Sequence, residues 1–102
     1  MATPVTSTNK LIWNQAAADL ATAQGYTYAM YPDGGTKVAL TGVTVTGATS
    51  PFACQVPFPT FTPGVHSVTV TASDIAGESP QSTACAFQFV VIPLAPTNLS
   101  IG

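Results

Sequence analysis

His66 is the only histidine of the chain, and Ser67 follows it directly. A serine nucleophile and an imidazole base must lie within hydrogen-bond reach of each other. These two sit in a run that alternates as a strand does. Neighbouring strand residues point to opposite faces, so they do not form a nucleophile–base pair. The acidic residues are Asp19, Asp33, Asp74 and Glu78. Asp33 belongs to the turn signal Pro32-Asp33-Gly34-Gly35, and Asp74 and Glu78 flank a second turn. The last two could offer carboxylates to a calcium ion, but residues of this type at turns ordinarily hold the turn itself. No two carboxylates are placed for general acid–base work. Cys54 and Cys85 are too few for a zinc site and lack a redox spacing. No glycine-rich phosphate loop occurs. Asn98-Leu99-Ser100 matches the N-glycosylation sequon, which matters only in a eukaryotic secretory pathway. The inventory implies no catalytic residue, no metal and no cofactor.

Composition narrows the partners. Only 6% of the 102 residues are charged, against about 25% in an ordinary globular domain. Lys10 and Lys37 are the only basic residues. A nucleic-acid binder must neutralise several phosphates with Lys or Arg, so that class is excluded, and anionic membrane surfaces are disfavoured for the same reason. The net charge of −2 is too small to imply a basic partner. No apolar run approaches the roughly 20 residues of a membrane helix. The polar first nine residues show no signal peptide. That expectation leaves a mature form, an excised domain, or a product released without Sec export, as phage structural proteins are.

The elements that must position these residues read mostly as strands. Lys10 to Asn14 carries Leu11 and Trp13 in phase, and a buried Trp removes roughly 150–250 Å² from water. Residues 15–25 are Ala-rich but shorter than the ~12–15 residues of a free-standing helix, and read as a loop with room for one helical turn, Leu20 plugging the end of the core. The alternative is a true helix packed on a sheet. Tyr26, Tyr28 and Met30 share a face of the next strand, 26–31. Short strands follow at 36–41 and 43–46, and 52–58 has Phe52, Cys54 and Val56 in phase. After Pro63-Gly64, His66, Val68, Val70 and Ala72 alternate with Ser67, Thr69, Thr71 and Ser73, the pattern of a strand with one buried face. The last strand, 83–92, has Cys85, Phe87, Phe89 and Val91 in phase, and Pro93 stops it because it has no N–H to donate. Thr is abundant on the polar faces.

The run 61–79, with Pro-Gly before its strand and Ala-Gly-Glu-Ser after it, resembles strand F of a fibronectin type III or bacterial immunoglobulin-like domain. Trp13 matches the core Trp of strand B, and the Tyr-rich 26–31 matches strand C. The resemblance covers 10–92. His66 stands where type III domains usually carry a corner tyrosine. The implied fold is all-β, an antiparallel β-sandwich in a domain spanning 1–93, followed by an extension at 94–102. The implied function is non-enzymatic: a structural or adhesive module, extracellular, on a cell surface or on a virion, that makes protein–protein contacts or sets spacing. Its B–C, C–C′ and F–G loops would present Leu20, Tyr31, Asp33, Asp74, Ile75 and Glu78 to a partner. The resemblance also places Cys54 and Cys85 in facing sheets, in phase with core residues. The alternatives there are an inter-sheet disulfide, worth about 3.5–4 kcal/mol by the chain-entropy model, and two buried free thiols.

Pro96, Thr97, Asn98, Leu99, Ser100 and Ile101 resemble a first strand, A, displaced to the end of the chain. Pro93 to Pro96 spans about 13 Å, too short for the tail to return to the start of its own A position. Three expectations follow: residues 3–8 supply a short A strand and the tail is loose; the tail folds back on its own domain; or it is donated to a neighbouring copy, giving a filament or ring. A carbohydrate-binding module is a further alternative, but its sugar-stacking aromatics would have to come from Tyr31 with Tyr26 or Tyr28.

Overall fold

The computed structural model of the protein describes residues 3–91 and 93–102. The chain is all-β apart from one short helix. Its elements are β1 (Thr3–Val5), β2 (Lys10–Gln15), α1 (Leu20–Gly25), β3 (Thr27–Pro32), β4 (Val38–Leu40), β5 (Thr44–Thr46), β6 (Phe52–Pro57), β7 (Gly64–Asp74), β8 (Gly77–Glu78) and β9 (Cys85–Phe89). One sheet has the order β1-β9-β7-β3-β4, with β8 pairing the end of β7, and the other has the order β2-β6-β5. All ladders are antiparallel except that of β1 with β9.

The inward faces are the ones that alternation marks out. Leu11 and Val56 of the smaller sheet meet Met30, Val68, Phe87 and Phe89 of the larger one, with Phe58 between them. A second cluster joins Tyr28, Val45, Phe52, Cys54 and Ala72 to Ala23 of α1. Trp13, Leu40 and Val43 pack against both clusters, so the two sheets close on one continuous interior. The Trp13 ring lies 5.4 Å from that of Tyr28. Its Nε1 is buried with no acceptor among the described residues.

The link between β4 and β5 carries the chain from one sheet to the other. Gly42, at φ 72°, supplies the left-handed backbone that this crossing requires. The Ala-rich segment forms a six-residue helix capped by Asp19, whose Oδ1 accepts from Thr22 N at 2.8 Å. Leu20 packs inward against the second cluster rather than standing out as a contact residue. Residues 3–5 lie beside β9, so the short first strand comes from the chain's own start. No helix is long and apolar enough to cross a membrane.

Of the two alternatives for Cys54 and Cys85, the structure has the free thiols, though only Cys54 is buried. Cys54 is buried, and its Sγ donates to the Tyr28 hydroxyl at 3.9 Å. Cys85 pairs with Val68 at the very start of β9, where its phase points it inward, yet it is exposed. Phase alone does not bury a residue at the end of a strand. Burial raises the Cys54 thiol's pKa. An aromatic disulfide such as Ellman's reagent should therefore modify one thiol per native chain, at Cys85, and the second only on unfolding. Phe87→Ala, at 1% exposure, should cost about 3–5 kcal/mol in urea denaturation, while Val65→Ala, at 70%, should stay within about 0.5 kcal/mol of the parent.

Candidate interaction surface

β3 begins opposite the end of β7, with Thr27 facing Ser73, and reaches only Val68 by Pro32. This register separates the predicted loops. The β7–β8 turn with Asp74 and Ile75 lies at one pole, beside Tyr26 and Gln15. The β3–β4 turn with Asp33 lies toward the other. The six predicted contact residues therefore do not form one patch.

Asp33 holds its turn to the middle of the fold. Gly35 N donates to Pro32 O at 2.8 Å, and Asp33 and Gly34 between them have φ 53° and 69°, the left-handed pair of a type I′ turn. Asp33 N donates to Ser67 O at 2.7 Å, and Ser67 N returns a bond to Asp33 Oδ1 at 2.9 Å. Asp33 Oδ2 lies 2.7 Å from His66 Nδ1, and Thr62 O lies 2.8 Å from Nε2. Both ring nitrogens thus face acceptors, with the Thr62 hydroxyl also 3.3 Å from Nε2, an arrangement that favours the doubly protonated imidazolium. The bond to Asp33, then that to Thr62, raises the pKa of His66; the bond to His66, then that from Ser67, lowers that of Asp33. The ring stands against Phe61 and Phe87, with centroids 5.1 and 5.8 Å away. An acid–base pair bound in this way clamps a turn, with neither nitrogen free to abstract a proton.

Glu78 gathers a second cluster on the outer face of the larger sheet. Its carboxylate accepts from the Tyr31 hydroxyl at 2.7 and 2.9 Å and from the Thr71 hydroxyl at 2.7 Å, and pairs with Lys37 Nζ at 3.2 Å. These bonds, Thr71's first, hold its pKa down at about 2. The same contact raises the pKa of Tyr31. Thr71 points outward by phase but is buried, and its hydroxyl donates to the Glu78 carboxylate. Ser79 and Ser82 each tie residues 78–82 to β7, at Ala72 and Val70. Thr71, Lys37 and Thr62 carry these clusters with Glu78 and His66, and nothing local in the sequence names them.

At the turn pole, Asp74 Oδ1 accepts from Ala76 N at 2.8 Å, and Gly77 at φ 137° returns the chain into β8. Ile75 stands at the tip, fully exposed. Beside it lies a groove of about 310 Å³ lined by Gln15, Tyr26 and the turn. The tail places Pro96 to Ile101 in no strand, with Leu94, Leu99 and Ile101 exposed. No protein-family model matches the chain, and no curated protein is significantly similar to it.

The signs of the shifts fix the pH response. His66, raised in the folded state, contributes stability that is full below about pH 6.5 and is lost as pH climbs through its elevated value. Asp33, lowered, contributes above about pH 3.9 and loses that contribution as pH falls through its depressed value. His66→Gln should lower the urea midpoint most between about pH 4 and 6.5, and the difference from the parent should shrink as pH rises to 9. Glu78→Gln should destabilise at pH 7, with the difference closing as pH falls toward 2.

Proposed function

We propose that the chain is a non-enzymatic β-sandwich module of the fibronectin type III or immunoglobulin-like kind, displayed outside the cell or on a virion, that works by protein contact. The sheet orders β2-β6-β5 and β4-β3-β7-β9 support this, since they follow the B-E-D and C′-C-F-G orders of such sandwiches. The observation that carries the contact reading is Ile75. A large apolar side chain is held fully in solvent by a turn whose backbone is fixed by Asp74 and Gly77. A stiff turn loses little entropy when a partner covers it. The acid and base groups support the same reading, because Asp33, His66 and Glu78 are engaged in holding the turns and strands that shape the surface.

A protein partner is favoured over a glycan. Sugar binding needs exposed aromatic faces, and here Tyr28 is buried while Trp13, Tyr26, Tyr31 and Phe61 are half-buried. The nearly uncharged surface leaves little electrostatic steering, so shape and apolar contact must carry affinity. A photo-crosslinking amino acid at position 75, irradiated in an extract of the source and read by mass spectrometry, should yield peptide adducts that disappear with excess unlabelled parent but not with excess Ile75→Asp competitor. Binding on a glycan array, with no peptide adduct, would overturn the reading.

A further inference from the structure

Among the described residues, most strands at the sheet edges are short: β1, β4 and β5 have three residues each, β8 has two, and β1 includes Pro4. The long edge, β2, runs for six residues, Lys10–Gln15, and pairs only with β6 among the described residues. Alternate residues of an antiparallel edge strand direct their N–H and C=O groups outward, which makes such an edge a template for another strand. Lys10 is its one charge, and Ile12 is 70% exposed.

The tail matches that edge in three respects. Its length from Pro96 to Ile101 is six residues, about 20 Å when extended. Thr97, Leu99 and Ile101 form one side at period two, with Asn98 and Ser100 on the other, as Leu11 and Trp13 alternate with Ile12 and Asn14 in β2. Leu99 and Ile101 are 97% and 100% exposed, so this apolar side covers nothing in the single chain. Its direction also fits. β1 and β9 run parallel, and the chain reverses between β1 and β2, so β2 begins at the pole where β9 ends. Val90 N donates to Val5 O there, and Phe58 N to Asn9 O. A tail that continues the course of β9 into a second, similarly oriented copy meets the Gln15 end of that copy's β2 and runs antiparallel to it. The molecule is 67 Å long and only 28 by 24 Å across, while its longest strand accounts for roughly 36 Å. Asn98, at φ 57°, must rotate into the extended region.

We infer that residues 96–101 of one copy pair with the free edge of β2 in the next, Leu99 and Ile101 covering the Trp13 end of the neighbour's core. This rests on the contact-module reading and names one partner, a second copy of the chain. The contact is head-to-tail, so it propagates into filaments or closes only as a ring.

The test is absolute mass by light scattering over a concentration series, comparing the full chain with a Leu99→Glu, Ile101→Glu double variant. The full chain should rise from 10.4 kDa through integral multiples, and the double variant should stay at one chain mass. Trp13 is the only tryptophan, so its emission should shift with assembly in the full chain and stay constant in the variant. A full chain that is monomeric throughout, or oligomers that survive the double variant, would overturn the pairing. Assembly lost in the variant with Trp13 emission unmoved would overturn β2 as the acceptor. Peptide adducts to a foreign protein at position 75 from a strictly monomeric chain would sink the pairing and leave the contact reading intact.

Discussion

β7 is the strand on which the structure depends. It is hydrogen-bonded to β3 on one side and to β9 and β8 on the other, so its inner face has to be buried along its length. Val68 enters the cluster around Phe87 and Phe58, and Ala72 enters the cluster around Tyr28 and Cys54. One strand thus fixes the spacing of both halves of the core. Its ends set the two poles: Gly64 lies against Phe89, where the tail departs, and Asp74 opens the turn that carries Ile75.

The polar clusters solve a problem that this arrangement creates. A long central strand leaves its flanking turns far from the core, in a chain with only six Asp, Glu and Lys side chains. Three of these charges, Asp33, Lys37 and Glu78, are used in pairs or networks that reach back to β7. Asp33 bonds His66 and the backbone of Ser67, and Glu78 bonds Thr71. Exposed ion pairs alone contribute little. Here they come with hydrogen bonds to the backbone or to a buried hydroxyl, which gives each turn one geometry.

Much of this was legible in the sequence, for a clear reason. Period-two alternation is a local property, so the strands around Leu11, Tyr28, Phe52 and Val68 could be read directly. The β3–β4 turn was legible from Pro32 to Gly35. What alternation could not give was coverage. Cys85 and Val91 have the phase of Phe87 and Phe89 but are exposed, and Thr71 has an outward phase but is buried where it meets Glu78. Partners 33 and 47 positions apart, such as Asp33 with His66 and Tyr31 with Glu78, depend on strand register. Register is set by tertiary pairing, and it also sends the expected contact loops to different ends. The short parallel pairing of Thr3–Val5 with β9 left no mark beyond a few extended residues around a proline.

That parallel pairing has a mechanical consequence. β1 and β9 run the same way beside the Gly64–His66 end of β7, so a pull between residues 3 and 91 acts along the two strands in opposite senses. The ladder between them is then loaded in shear, all its bonds sharing the force, instead of opening one bond at a time like a zip. The bond from Val90 N to Val5 O lies at the exit end of that ladder and takes its share. A chain joined to its surroundings through both ends would transmit tension through this patch and leave the smaller sheet, with its open β2 edge, outside the direct line of load.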